Sequence, residues 1–345
     1  MTAARRDSRW IASGLIAAII LGVGALLHVS GFAAASALDA LLRGALGSWY
    51  AFGSGTLVRA TPLILTGLAV AVAFRAGVFN IGAEGQFLVG AAAGTTVALV
   101  FPTWPSPLLI PAILIAGAVA GSAWAWIAAA LRARFHVLEV ISTIMLNFIA
   151  AYLISYLVRG PLQEPTHIYP QTLTISMAAR LPRFGETTRL HIGFALAVLA
   201  CLASWWLIRY TAGGFRLRVV GANPQAAQTA GQIDVARVAM RAFLASGALS
   251  GIAGAIEVCG VTYALYENIS PGYGYTAIAV ALLARLNAAL VIVTGVLFGA
   301  LEAGATAMQR DAGVPSVVVS VVEAGIILAL VAADRVRTRA GEAAG

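Results

Sequence analysis

The sequence contains no lysine, because all 22 of its basic residues are arginines. This absence excludes a nucleotide site of the phosphate-loop type, because the motif G-x-x-x-x-G-K-[ST] needs a lysine directly after its second glycine. It also excludes a lysine Schiff base as a covalent intermediate. The chain therefore cannot bind ATP through such a loop by itself.

Cysteine and charged residues are scarce as well. The two cysteines, Cys201 and Cys259, fall inside apolar runs and form neither a disulfide framework nor a metal site. Charged residues make up 10% of the chain, whereas soluble domains average about 25%. The four histidines lack metal-ligand spacing, and no nucleophile-elbow serine motif is present. We therefore expect no enzyme, no metal and no cofactor.

Apolar residues are abundant instead: 60% of the chain is hydrophobic and the mean hydropathy is +0.90. A helix needs about 20 apolar residues to cross the hydrocarbon core of a bilayer. The pattern predicts an all-α polytopic membrane protein with about ten transmembrane helices, some of them discontinuous or half-helices. The ten apolar segments run over residues 10–30, 57–75, 85–101, 108–131, 137–158, 190–208, 238–264, 275–285, 287–309 and 315–333.

The eighth segment, 275–285, is too short to cross upright, so we expect it either as a half-helix or fused with its neighbour. The weakly apolar stretch 32–56 carries Asp39 and Arg43, and we expect it to lie at the membrane interface or to dip in as a short helix. The chain is treated as a single transmembrane domain, 1–345.

The arginines predict an orientation. If the amino terminus is cytoplasmic and the segments alternate, most arginines fall on the cytoplasmic side, in the tails 1–9 and 334–345 and in the loop 209–237. Both termini are then cytoplasmic. The proline-rich loop 159–189 is the exception, and we expect an ordered external lobe there. The net charge of +8 is explained by this bias and does not indicate a nucleic-acid partner.

The stretch GVFNIGAEGQFLVGA (77–91) places Asn80, Glu84 and Gln86 among four glycines between apolar segments. One interpretation is a cytoplasmic turn capped by Asn80. The other is a discontinuous helix inside the bundle, since irregular backbone at membrane depth must line protein or a wet cavity. The arginine distribution favours a position near the cytoplasmic face, whereas a solute site is expected near the midplane.

Further polar residues recur at helical spacing in three segments. Such stripes indicate either a hydrophilic pathway or interhelical hydrogen bonds. Glu139 at the end of its segment needs no special role. The candidate pathway residues are Asn80, Glu84, Gln86, Thr143, Asn147, Thr294, Glu302 and Glu323.

Four G-x-x-x-G pairs also occur, and we expect them to serve close packing within one bundle rather than dimerisation. The pairs are Gly90/Gly94, Gly117/Gly121, Gly247/Gly251 and Gly295/Gly299.

The loop 209–237 contains a short predicted helix, 223–231. Asn223 suits the N-cap, Pro224 the first helical position and Gly231 the stop. Two turns are unstable alone in water, so the helix must dock. It packs either on its own chain or on a partner ATPase.

Five blocks carry a resemblance to a known family. The chain resembles the permease subunits of bacterial ABC importers in the branched-chain amino acid and simple sugar permease family, and most of all the nucleoside and simple-sugar branch. The blocks are GVFNIGAEGQFLVGA, EVISTIMLNFIAAYL (139–153), GGFRLRVVGANPQAAQTAGQ (213–232), LSGIAGAIEVCG (249–260) and GYGYTAIAVALLARLN (272–287).

This resemblance implies a non-enzymatic subunit of the bacterial inner membrane. It implies three partners besides the lipid bilayer: cytoplasmic ABC ATPase subunits, a second homologous permease, and an extracytoplasmic solute-binding protein. Asn80, Glu84, Gln86 and Asn147 match the family's pathway blocks. The 223–231 helix would be the coupling helix, through Asn223, Pro224, Gln225, Ala226, Ala227 and Gly231.

One block departs from the family pattern. Relatives usually have glycine, polar and proline residues where this chain has Ala284, Leu286, Ala288 and Ala289. We therefore expect a less sharply bent break before the ninth segment.

Four functions remain open at this point. They are a nucleoside or simple-sugar ABC permease, a branched-chain amino acid ABC permease, a proton-coupled secondary transporter using Glu302 or Glu323, and a scaffold that transports nothing.

Overall fold

The computed structural model describes residues 31–135, 137–231 and 233–315, with single helical residues among 22–29 and 320–328. This described part is helical apart from loops and two isolated β-bridges. A π-helical segment, Ala51–Leu57, leads into α2, and another, Val258–Thr262, extends α9. The helices are α1 (Ala34–Leu46), α2 (Val58–Arg75), α3 (Ala83–Val100), α4 (Ser106–Phe135), α5 (Glu139–Arg159), α6 (Gly193–Tyr210), α7 (Ala212–Ala222), α8 (Pro224–Gly231), α9 (Val235–Glu257), α10 (Tyr273–Leu283) and α11 (Leu290–Ala312).

Seven helices among the described residues are long and apolar enough to cross a membrane. They match the second to seventh and the ninth predicted segments, so the polytopic all-α prediction is confirmed. The eighth segment is α10, which has 11 residues and is too short to cross upright. The predicted segments 10–30 and 315–333 lie largely outside the described residues, and the tails 1–9 and 334–345 lie wholly outside them.

The chain divides into two compact units. The terminal unit comprises Met1–Arg59 and Leu297–Gly345, and the central unit comprises Ala60–Val296. Within the terminal unit, α1 occupies the weakly apolar stretch and carries an Asp39–Arg43 ion pair one turn apart. Helices α2 and α11 contribute residues to both units.

The core of the central unit is α9, which packs against α3 and α4. The backbones touch at glycines: a methyl group on Gly90 would lie 2.3 Å from the Cα of Gly251. A methyl group on Gly121 would lie 2.2 Å from the carbonyl oxygen of Gly247. The predicted use of these G-x-x-x-G pairs for packing within the bundle is confirmed.

The loop between α5 and α6 is an ordered lobe, as expected. It pairs with the loop 263–272 after α9: the Thr172 N–H donates to the Leu265 carbonyl at 2.9 Å, and the Ile175 N–H donates to the Tyr263 carbonyl at 2.9 Å. The loop 263–272 leads directly into α10. The lobe is therefore connected to the half-helix through a loop to which it is hydrogen-bonded.

The break between α10 and α11 contains two residues in the left-handed conformation. Arg285 and Leu286 have φ values of 52° and 57°, a left-handed conformation that costs energy for residues other than glycine. The Arg75 guanidinium donates to the Leu286 carbonyl at 2.9 Å and holds this turn. Asn287 precedes α11 and accepts the Ala289 N–H at 3.0 Å. Its side chain therefore closes the turn that leads into α11.

Candidate functional site

The stretch between α2 and α3 is a non-helical segment inside the central unit. Gly77 has a φ of +74°, so the chain turns there in a conformation open to glycine. Asn80 is wholly buried, and α3 begins three residues later at Ala83. A solvent-exposed turn would not bury its central asparagine, so the observed segment is a discontinuity within packed protein.

Asn80 is the centre of a buried amide network. Its Nδ2 donates to Gln86 Oε1 at 3.0 Å and to Ser246 Oγ at 2.9 Å. Its Oδ1 accepts from the Gly82 N–H at 2.9 Å and from Gln86 Nε2 at 3.1 Å. The network satisfies the groups that the missing helical turn leaves open, and through Ser246 it joins α3 to α9.

Asn147 fixes the same segment to α5. Its Oδ1 accepts the Gly85 N–H at 2.8 Å, and its Nδ2 donates to the Ile81 carbonyl at 2.9 Å and to the Tyr275 hydroxyl at 3.3 Å. Asn147 is eight residues into α5, about 12 Å along its axis. The broken segment therefore contacts α5 inside that helix as well as at its first residue, Glu139, which accepts the Phe79 N–H at 3.4 Å.

Glu84 joins the start of α3 to the start of α10. Its Oε2 accepts the Gly274 N–H at 2.7 Å, and the Ser270 hydroxyl bonds to the same carboxylate. The two helices approach so closely that a methyl group on Gly274 would lie 2.1 Å from the Glu84 nitrogen. A carboxylate at the first turn of α10 accepts hydrogen bonds from the unpaired N–H groups of that helix, and its negative charge interacts favourably with the positive end of the helix dipole.

Two threonine candidates have structural contacts. The Thr143 hydroxyl donates to the Glu139 carbonyl within α5 at 2.7 Å. The Thr294 hydroxyl donates to the Val280 carbonyl at 3.0 Å and so ties α11 to α10. Thr143 packs over Gly82, where an added methyl group would lie 3.0 Å from its Cβ.

Two acidic candidates lie nearer the carboxyl terminus. Glu302 is half-buried in the terminal unit. Glu323 lies outside the described residues.

A cavity of about 370 Å³ lies beside the cluster, within the usual size range of small-molecule sites. Glu84 and Asn147 are the predicted site residues that line this cavity, whereas Asn80 and Gln86 do not line it. Sequence reasoning missed several of its polar and aromatic residues. They are Phe148, Tyr152, Ser155, Glu267, Asn268, Ser270 and Tyr275. The available signals were the block 139–153, which contains Phe148 and Tyr152, and the GYGY block with the loop before it.

Glu267 lies at one end of this cavity and is held by α5. The Arg159 guanidinium donates to both of its carboxylate oxygens, at 2.6 and 2.8 Å, and the Ser155 hydroxyl donates to one of them. The hydrogen bond from Arg159 lowers the pKa of Glu267 to about 2. This end of the site therefore carries an ionised carboxylate whose negative charge is balanced by the Arg159 guanidinium.

The described residues contain no group of three His, Cys, Asp or Glu side chains able to hold a metal ion. The cavity instead offers carboxylates, two amides, hydroxyls and three aromatic rings. These groups accept and donate hydrogen bonds to a polar organic molecule and stack against a flat one.

Helix α8 has the predicted boundaries and cap. The Asn223 Oδ1 accepts the Ala226 N–H at 3.0 Å, and the helix runs from Pro224 to Gly231. Ala227 is buried against the protein, while Gln225 and Ala226 are exposed. The helix therefore docks on its own chain through one face and presents the other outward.

A family model and several curated relatives agree on the family of this chain. A family model described as "Branched-chain amino acid transport system / permease component" matches residues 53–331. The chain is 41% identical over 327 residues to the guanosine ABC transporter permease protein NupP of Bacillus subtilis, covering 93% of each chain.

It is also 41% identical over 288 residues to the glucose ABC transporter permease protein TsgB13 of Haloferax volcanii, covering 81% of this chain and 75% of the relative. It is 34% identical over 322 residues to the nucleoside ABC transporter permease protein NupB of Lactococcus lactis, covering 90% of this chain and 88% of the relative.

Proposed function

We propose that this chain, which belongs to the family of permease components of branched-chain amino acid transport systems, carries a nucleoside or a simple sugar through the membrane as part of an ATP-driven importer. It is a permease and not an enzyme, and ATP is hydrolysed by a separate subunit. The names of its relatives support this solute class, since two act on nucleosides and one on glucose.

The cavity beside Glu84 and Asn147 is the observation that carries the proposal. Buried polar groups at membrane depth are costly and by default line a solute path. The rings of Phe148, Tyr152 and Tyr275 favour a solute with a flat ring, which places nucleosides before sugars.

A second permease would cover the open side of this cavity. Phe148 and Tyr152 line it and are 53% and 75% exposed. Lipid cannot hydrogen-bond to the polar side chains of Glu267 and Asn268, which line the cavity and are half-buried and exposed, respectively, so a protein surface is the better cover. A homologous partner placing its own α5 opposite would enclose a pathway between the two subunits.

The exposed face of α8 would receive the ATPase. We place both termini on the same, cytoplasmic side with ten crossings, because the arginine-rich loops then face the cytoplasm. The α5–α6 lobe then faces outward, where a solute-binding protein would deliver its cargo. The membrane would be the inner membrane of a bacterium.

ATP-dependent uptake in proteoliposomes tests the proposal. The chain would be co-purified with its candidate ATPase, second permease and binding protein, and supplied with labelled guanosine or glucose. We expect uptake that requires ATP and is lost in Asn147→Ala but kept in Gln309→Ala, whose site is exposed in the terminal unit.

Uptake that continues without ATP but stops with a protonophore would contradict the proposal. It would instead favour the proton-coupled alternative through Glu302 and Glu323. A leucine-dependent signal with no nucleoside or glucose uptake would favour a branched-chain amino acid permease.

A further inference from the structure

A second cavity, of about 510 Å³, lies in the central unit between α7 and α9. Arg216 of α7 faces Arg237 and Arg241 of α9 across it, and Leu217 and Ala245 contribute apolar surface. Its lining is separate from that of the cavity beside Glu84. Three guanidiniums around an apolar floor are an unusual lining for a simple gap between helices.

The charge of this groove is positive. Asp234 is its one lining carboxylate, and it lies 3.3 Å from the Arg237 guanidinium. Its Oδ1 also accepts the Arg237 N–H at 2.9 Å as the N-cap of α9. One carboxylate therefore faces three guanidiniums, which leaves an excess of positive charge toward Arg216 and Arg241.

The level of the groove matches a membrane surface. Trp206 and Tyr210, in the last turn of α6, are 54% and 61% exposed, as in the aromatic belts of membrane proteins. Helix α7 begins two residues after Tyr210, and its Phe215 is 54% exposed. An exposed phenylalanine beside Arg216 is typical of a helix lying at the headgroup level.

The groove also continues toward the apolar part of α9. Arg237, Arg241 and Ala245 follow one another at four-residue spacing and therefore share a helix face. All three are exposed. A molecule held by the two arginines would thus extend along Ala245, toward the middle of the apolar span Val235–Thr262.

We propose that this groove binds the phosphodiester headgroup of an anionic phospholipid, with an acyl chain lying along α9 past Ala245. Arginine pairs bind phosphate oxygens through two parallel N–H groups. Basic pockets between transmembrane helices are suited to such headgroups. The acyl path distinguishes a lipid from free phosphate, which would need only the arginines.

The test is lipid retention by the purified transporter complex. The complex would be exchanged into nanodiscs with equal amounts of phosphatidylglycerol and phosphatidylcholine of the same acyl chains, and the tightly held lipid would be measured by mass spectrometry. We expect preferential retention of phosphatidylglycerol, with a loss of about fivefold for Arg216→Gln or Arg241→Gln and about 25-fold for both.

Two further variants distinguish a bound lipid from a bound soluble phosphate. Ala245→Trp keeps the arginines but blocks the acyl path, and it should also lose phosphatidylglycerol. Arg134→Gln removes an exposed arginine of α4 that does not line the groove, and it should retain lipid as the unaltered chain does.

Equal retention of the two lipids by the unaltered complex would overturn the proposal. So would unchanged retention in the double arginine variant. If the groove binds inorganic phosphate in the absence of lipid, and Ala245→Trp has no effect on retention, the ligand is a soluble anion. Loss of the ATPase from the Arg216→Gln complex with lipid retention intact would make the groove a protein-docking surface.

Discussion

The side-chain amides of Asn80 and Gln86 face each other and exchange two hydrogen bonds, at 3.0 and 3.1 Å. Each amide uses a donor and an acceptor on the other, and Asn80 also binds Ser246 and the Gly82 N–H. Little hydrogen-bonding capacity remains for a passing solute. We therefore assign Asn80 and Gln86 to holding the broken helix, and Glu84 and Asn147 to facing the cavity.

Removal of either amide should destabilise the protein by leaving its partner buried and unsatisfied. We expect Asn80→Ala and Gln86→Ala each to lower the free energy of unfolding by about 1–3 kcal/mol. The double variant should cost less than the sum, because the second substitution removes the group left unpaired by the first. Thermal unfolding of the detergent-solubilised protein measures all three.

Gln309→Ala is the control for this cycle, since its side chain is exposed. Additive losses in the double variant would show that the two amides act independently.

Gly274→Ala should separate α10 from α3. The added methyl group would lie 2.1 Å from the Glu84 nitrogen, and backbone atoms cannot yield as a flexible side chain does. We expect a loss of stability of about 1–3 kcal/mol together with loss of solute uptake. Gly185→Ala is the matched control, because its methyl group would lie 3.7 Å from its nearest neighbour, Thr188. Normal uptake in Gly274→Ala would contradict the assigned role of the Glu84 contact.

Ala226→Arg should abolish ATP-driven uptake while the protein folds and inserts normally. Ala226 is exposed on α8, so a long charged side chain there blocks a docking partner without disturbing the chain's own packing. Ala227 is 1% exposed, and arginine there would also detach α8 from the protein. Co-purification of the ATPase, measured beside uptake, distinguishes the two variants. A fully coupled Ala226→Arg complex would exclude α8 as the docking element.

His191 should make the stability of the protein depend on pH. It is wholly buried, its Nδ1 accepts the Gly193 N–H at 3.2 Å, and its Nε2 has no hydrogen-bond partner among the described residues. Burial, assisted by nearby Arg183, lowers the pKa of this imidazole from 6.5 to about 4.

A histidine whose folded pKa is lowered favours folding when it is neutral. Its contribution is complete above pH 6.5 and is lost as the pH falls through about 4. The total loss is about 3 kcal/mol. We expect the melting temperature to fall over this range, and to fall less in His191→Asn. His167→Asn, in an exposed part of the same lobe, should keep the full dependence, and equal slopes in all three proteins would refute the assignment.

Local features of the fold were predictable from the sequence because their causes are local. The cap, first residue and end of α8 depend on residues within nine positions, and the Asn223 cap is observed as predicted. The length of α10 followed from counting apolar residues. The sequence predicted that Gly121 and Gly247 would allow close packing, because small residues permit helix backbones to approach. It did not predict that these two glycines would pack against each other.

The rest depends on contacts between distant parts of the chain. Glu84 and Gly274 are 190 positions apart, and no local pattern joins them. Glu267 lies in a loop, where a carboxylate ordinarily faces water, and only the folded chain brings it to the cavity beside Ser155. The left-handed turn at Leu286 is hydrogen-bonded to a guanidinium 211 positions away, a contact that no local pattern of residues predicts.

The Glu84–Gly274 contact also has a consequence for biosynthesis. A polytopic chain enters the membrane from its amino terminus, so α3 is inserted long before α10 has been translated. During that interval the Glu84 carboxylate lacks the N–H group that later satisfies it, and it must be kept hydrated or shielded by the insertion machinery. Chains truncated before residue 272 should therefore retain α3 in the membrane less efficiently after it has been inserted, because the N–H group that satisfies the carboxylate is never made.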